Sequence, residues 1–198
     1  MPLRRRFYTV LISTSLLALT AYATEPAATA DAQITDAQIS KARTAVNALQ
    51  TELQTALQNA MRDGGPIAAI EVCQIQALPI TASISEQHKL HIRRTALKLR
   101  NPANAPDDWE AQQLADFAAR AERGESLATM ETVSSESGEF RYMKAIPTGD
   151  VCTGCHGTQI AAPLANALKE RYPADRATGF VAGDLRGAFT VRIAADGL

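Results

Sequence analysis

Apolar residues recur at helical spacing over a long early stretch. Ala42, Ala45, Val46, Leu49, Leu53, Ala56, Leu57, Ala60 and Met61 fall on one stripe, the 3.6-residue period of a helix packed on one face. Thr35-x-x-Gln38 ahead of it has capping-box spacing, and Asp63-Gly64-Gly65-Pro66 supplies a stop. Pro66 suits the first turn of a second helix, which the pattern runs to about Leu78 and ends at Pro79. Ile70, Cys73 and Ala77 share one face of it, so Cys73 points where the apolar residues point. The period then changes. Leu90–Leu97 alternates in part and predicts a strand, and Leu99–Pro106, with two prolines and two asparagines, predicts a loop. Asp107-x-x-Glu110 opens a third helix lined by Leu114, Phe117, Ala118 and Ala121 and capped by Gly124. Met130–Val133 and Phe140–Ile146 predict paired strands around a Ser134–Gly138 turn. A short helix with Leu164, Ala167 and Leu168 ends before Pro173, residues 174–183 are loop, and Ala188–Ala194 closes the chain as a strand. Hairpin connections imply antiparallel pairing. The expectation is an α+β domain: an antiparallel sheet of about four to five strands, a long N-terminal helix and flanking helices.

The first residues follow another logic. Arg4, Arg5 and Arg6 precede an uncharged apolar run, Phe7–Ala23, that ends in Ala21-Tyr22-Ala23. This is the layout of a secretory signal peptide over residues 1–23, cleaved after Ala23, with uncut retention as an anchor the other outcome. Residues 24–33, rich in Ala, Thr and Asp, predict a flexible mature N-terminus, leaving 34–198 as a single domain. Cleavage removes three of the 20 basic residues and none of the 21 acidic ones. A mildly acidic chain lacks the footprint of a nucleic-acid binder. A 46% hydrophobic and 21% charged composition is globular rather than disordered. No segment after the leader is expected to span a bilayer, and the expected location is the periplasm.

Export gives the three cysteines, Cys73, Cys152 and Cys155, an oxidising surrounding, where an odd count calls for an explanation. Cys152-Thr153-Gly154-Cys155-His156 answers most of it. C-x-x-C-H is the attachment signature of c-type haem: two thiols add across the vinyl groups as thioethers and the adjoining His156 ligates the iron. A redox disulfide would want a thioredoxin-like context and no following histidine. A zinc knuckle would want a second ligand pair at metal spacing, which is absent. The expected cofactor is therefore one covalent haem c, loaded by cytochrome c maturation machinery. Its propionates need cationic partners. Arg94, Lys98, Arg100, Arg141, Lys144 and Arg186 are candidates, with Arg141 and Lys144 ranked first because they lead into the Cys152 motif. Trp109 reads as a packing anchor. Gly179, Gly183 and Gly187 read as turns, without the strand-to-helix setting of a phosphate loop.

Ala69-Ile70-Glu71-Val72-Cys73, Leu97 through Glu110 with its Asn-Pro-Ala-Asn-Ala-Pro core, Arg141-Tyr142-Met143-Lys144-Ala145-Ile146, Cys152–Gly157 and Tyr172 through Phe189 together carry a further signal. They resemble a family of exported c-type haem domains with a PAS-like α/β fold, found as free proteins and as sensory modules of bacterial signalling proteins. The resemblance implies an unusual sixth ligand: Cys73 opposite His156. The competing ligands are Met61, Met130, Met143, His88 and His91. The methionines read better as core, and the two histidines lie in a polar run. A thiolate favours ferric iron, so a low reduction potential is expected. These 198 residues show no kinase or cyclase pattern, so no fused output domain is expected. That favours an electron-transfer cytochrome with a separate redox partner over a redox or NO, CO or O2 sensor acting through a signalling partner. No distal acid–base set for a haem enzyme can be assigned, so catalysis is not the expected role.

Overall fold

The structure, a computed structural model, describes residues 34–135 and 138–194. The expected signal peptide and flexible N-terminus lie outside these residues. Helix α1 (Asp36–Glu71) opens on the predicted capping box: the Thr35 hydroxyl accepts from the Gln38 N–H and the Gln38 side chain from the Thr35 N–H. It breaks at Gly65 (φ 70°, ψ −167°) with Pro66 next, a backbone region that only glycine visits at low cost. A π turn, Val72–Gln76, and helix α2 (Ala77–His88) continue the path. Along a straight helix, Val46 and Ile84 would stand about 57 Å apart at 1.5 Å per residue. They share one core cluster, so the chain turns back at Gly65 and forms a helical hairpin.

The second arm does not end at Pro79 as the pattern predicts. Proline removes one helical donor and crowds the preceding turn. The π turn just before it accommodates this, with Ala77 N–H donating to the Val72 carbonyl, five residues back. Asp36–His88 includes an 18-residue window of mean hydropathy 1.5, long and apolar enough by composition to cross a membrane. Ile70, Ala77 and Ile84 of this arm are buried in the protein.

Strands β1 (His91–Thr95), β2 (Glu131–Ser134), β3 (Phe140–Pro147) and β4 (Leu185–Ile193) form one antiparallel sheet in the order β1-β4-β3-β2. Tyr142 faces Val191 across β3 and β4, and Ile92 faces Val191 from the other side. Period-two alternation sends Ile92, Phe140, Tyr142, Phe189, Val191 and Ile193 to one face, against Ala42, Ala45, Val46, Leu49 and Ile84 of the hairpin. Met143, Ala145 and Ala188 go to the other face. There they meet Leu114 and Phe117 of helix α3 (Asp108–Glu122), with Leu127 and Met130. The fold is thus α+β with a long N-terminal helix and a four-stranded sheet between helical layers, as the pattern predicts.

Helix α3 is fixed to its face by charge as well. Asp107 caps it and accepts from Arg141 at 2.6 Å and from Arg192. Glu110, fully buried, accepts from Arg93 at 2.5 Å and from the Thr190 hydroxyl at 2.9 Å.

Candidate functional site

The C-x-x-C-H motif sits in a long excursion between two adjacent strands. β3 ends at Pro147 opposite Leu185 of β4. Thr148 N–H donates to the Asp184 carbonyl at 2.7 Å and Gly183 N–H to the Thr148 carbonyl at 2.8 Å, which pinches the base. A 3-10 turn (Asp150–Cys152) runs into the one-turn helix α4 (Thr153–His156). Gly157 closes it, its N–H donating to the Thr153 carbonyl at 2.8 Å. A Cβ on Gly157 would stand 2.3 Å from that oxygen, so no side chain fits. Helix α5 (Ala162–Arg171) follows, and the returning strand of loop docks on the motif. Gly179 N–H donates to the Gly157 carbonyl at 2.9 Å and Phe180 N–H to the His156 carbonyl at 3.0 Å.

This docking orients His156. Its Nδ1–H donates to the Ala177 carbonyl at 2.7 Å, which leaves the Nε2 lone pair for another partner. Asp175 sets that carbonyl in place: one of its oxygens accepts from Ala177 N–H at 2.8 Å. The other accepts from Arg100 at 2.9 Å, a pair whose side chains are only 9% and 11% exposed. Arg100 also donates to the Cys155 carbonyl at 2.7 Å and lies 3.5 Å from His156 Nε2. Phe180 meets His156 edge-on, ring centres 6.4 Å apart. Lys98 and Arg186 flank the Phe180 ring at 4.7 and 5.3 Å.

Cys73 reaches the site from the helical hairpin. It lies in the π turn, three residues beyond Ile70, which packs with Leu164, Leu168 and Tyr172. Cys155 packs against the same cluster. Cys73 is close enough to Cys155, Tyr172 and Arg94 to act on each electrostatically. All three cysteines are free thiols and half-buried. Among the described residues, no three His, Cys, Asp or Glu side chains gather as a site for a bare metal ion.

The electrostatics of the site are those of half-buried cations. Burial pushes His156 down to about 3, helped by Arg186 and Arg100. Burial pushes Arg186 down to about 10, helped by Arg100 and Arg94. Arg94 is lowered by burial as well, and burial raises the Cys155 thiol.

The structure brings Cys73, Cys152, Cys155, His156, Arg94, Arg100 and Arg186 together. Arg141 and Lys144 are close to the motif along the chain but are engaged elsewhere. Arg141 bonds Asp107 and stacks 4.2 Å from the centre of the Trp109 ring. Lys144 lies opposite Glu131 in the β2–β3 register. Met130 and Met143 are buried in the α3 cluster, and His91 is exposed at the start of β1. Asp175 and Phe180 escaped sequence reasoning. Their only signal is position in a Pro- and Gly-bounded loop, and their partners are remote in sequence.

The Tll0287-like family profile matches residues 21–194. The crystal structure of the cyanobacterial heme-protein Tll0287 is similar to this fold, with a TM-score of 0.65 at 23% identity, covering 83% of this chain and 99% of that one. At that identity the likeness speaks for the fold. No curated protein matches the chain.

Proposed function

The chain belongs to the Tll0287-like family, and on that footing we propose that it is an exported, periplasmic c-type haem protein that passes single electrons to a redox partner at low potential. The observation that carries this reading is the C-x-x-C-H turn itself. Two free, half-buried thiols stand beside a histidine whose Nδ1–H is committed to a carbonyl and whose Nε2 meets only a long 3.5 Å approach from Arg100. The cyanobacterial structural relative is a heme-protein, which supports the same cofactor here.

The residues fit that cofactor. Cys152 and Cys155 supply the thiols for two thioether links, each S–H adding across one vinyl double bond. His156 Nε2, held by Ala177 and Asp175, would supply one iron ligand, and Cys73, carried in by the π turn, would supply a thiolate. The half-buried cations Arg94, Arg100 and Arg186 supply positive charge that carboxylates can neutralise. When bound, the haem iron supplies one-electron redox chemistry. The anionic sulfur of Cys73 favours the oxidised form, unlike a His/Met pair, whose ligands raise the potential. Leu97, Val151 and Val181, which adjoin this region in sequence, are exposed by 55–69% and offer an apolar contact for a docking protein.

One observation favours a second reading, a redox or diatomic-gas sensor working through a separate partner. Cys73 lies in a π turn between a glycine break and a proline. π turns are inserted into helices mostly at functional sites. Release of Cys73 there would open a coordination position to CO, NO or O2 and move the second arm of the hairpin.

The test is production in a host that matures c-type cytochromes. The protein should hold pigment that acidified organic solvent does not extract, and Cys152→Ala with Cys155→Ala should lose it. Cys73→Ala should change the ferric optical spectrum. Colourless or extractable protein would refute the haem reading, and an unchanged ferric spectrum would refute the Cys73 assignment. A ferrous form inert to CO supports electron transfer, whereas ready CO uptake with loss of a ligand supports sensing.

A further inference from the structure

Three arginines on three different elements converge where the histidine ligand stands. Arg94 is on β1, on the hairpin side of the sheet, and lines a groove of about 600 Å³ with Leu78, Ala82 and Asn104. Arg100 lies on the loop after β1 and touches Cys155, His156 and Asp175. Arg186 is on β4, bonded to the Lys98 carbonyl at 3.3 Å and stacked on Phe180, which meets His156.

Among the described residues their charge is not balanced. Arg100 has Asp175. Arg186 feels the same Asp175 and, beyond it, the sulfur of Cys152. Arg94 feels only the Cys73 sulfur and the Tyr172 phenol. One carboxylate against three guanidinium groups leaves two positive charges uncompensated. All three are half-buried, and guanidinium groups gathered with one carboxylate and partly shielded from water favour anions beside them, so the arrangement suits two negative charges from outside the chain. Arg141 differs in having carboxylates at hand, Asp107 at 2.6 Å and Glu110 at 3.6 Å, although both are shared with Arg192 and Arg93 and its Nε is left without a hydrogen-bond partner.

We propose that Arg94, Arg100 and Arg186 form the cradle for the two haem propionates, and that Arg141 and Lys144 take no part. This rests on the haem reading above. A planar fork of N–H donors suits a carboxylate, and two propionates supply the two missing charges. Arg100 has a double duty, since it also braces the Cys155 carbonyl, so it is a poor site for a test. Arg94 and Arg186 are the informative ones.

The experiment uses the loaded protein, with covalent haem verified by acid extraction. Arg94→Gln and Arg186→Gln should shift the propionate bending bands in the resonance Raman spectrum. They should also lower the reduction potential, because a cation that favours the electron-rich form is lost. Arg94→Lys and Arg186→Lys keep the charge and lose the fork: bands shift and the potential stays. This pair gives the answer alone should a glutamine variant fail to fold. Arg141→Gln should change neither. Bands that stay in place in both Arg94 and Arg186 variants would overturn the cradle, as would shifts confined to Arg141→Gln. Displacement of the wild-type bands by added succinate would assign the arginines to free carboxylates and overturn it too. Protein that emerges colourless overturns the haem reading as well, an outcome distinct from coloured protein with unmoved bands.

Discussion

Tyr142 shows how single side chains carry the sheet. It is fully buried, and its hydroxyl donates to Glu131 at 2.7 Å, a carboxylate that also takes Arg43 from α1. Burial, and then the Glu131 bond, raise the phenol well above its ordinary value, so it stays a neutral donor. Tyr142→Phe should cost about 0.5–1.5 kcal/mol, the net worth of one such bond, read from denaturant midpoints. The Arg43 guanidinium, and secondarily the phenol, hold Glu131 below the ordinary carboxylate range. A depressed carboxylate stabilises the fold above its unfolded pKa, about 4.3, and that contribution is lost as pH falls through the lower folded value. Glu131→Gln should therefore lose stability less steeply than wild type between about pH 4.3 and the acid transition. Asp175 is the more sensitive residue. Its removal orphans the nearly buried Arg100 and frees the Ala177 N–H. Asp175→Ala should destabilise the apoprotein by about 3–5 kcal/mol, several times the Tyr142 effect in the same assay.

At the scale of elements, two breaks and one cap set the layout. Gly65 takes a backbone conformation closed to other residues, so Gly65→Ala should cost about 1–3 kcal/mol and speed amide exchange in both hairpin arms. Asp107 caps α3 and holds Arg141 and Arg192. Asp107→Ala should cost about 0.5–2 kcal/mol for the cap alone, seen as fraying of the first turn of α3 by hydrogen exchange. Much of this was legible in the chain. Thr35/Gln38 and Asp107/Glu110 announced both helix starts, alternation marked β3 and β4, and Cys152-x-x-Cys155-His156 marked the site. What stayed hidden depends on partners far off in sequence. Arg141 and Lys144 looked nearest to the motif because they are near along the chain. In space β3 points Arg141 at Asp107, while Arg94, Arg100 and Arg186 arrive from elsewhere. Pro79 read as a stop because periodicity cannot announce a π turn. Glu110 read as a cap residue and proved to be a buried anion serving Arg93 and Thr190 as well.

For the whole molecule, the sheet and its two helical layers form one frame, and the site is an addition to one side of it. Like charge gathered in the half-buried Arg94, Arg100 and Arg186 should make that side the weak part of the unloaded protein. Attachment of the cofactor should slow hydrogen exchange over residues 94–100, 150–160 and 172–186, with little change in α3 and β2. Equal exchange in loaded and unloaded protein at those segments would contradict the charge argument.

The pinched base of the excursion has a consequence for how such a protein can be rebuilt. Pro147 and Leu185 are opposite neighbours on adjacent antiparallel strands, so everything between them is topologically an overgrown hairpin turn. A cassette with both ends at one rung of a ladder can be cut out and replaced by a two-residue turn, or spliced into another hairpin, without rethreading the rest. The frame left behind should still close, whereas the cassette parts from Cys73 and Arg100, which reach it from other elements.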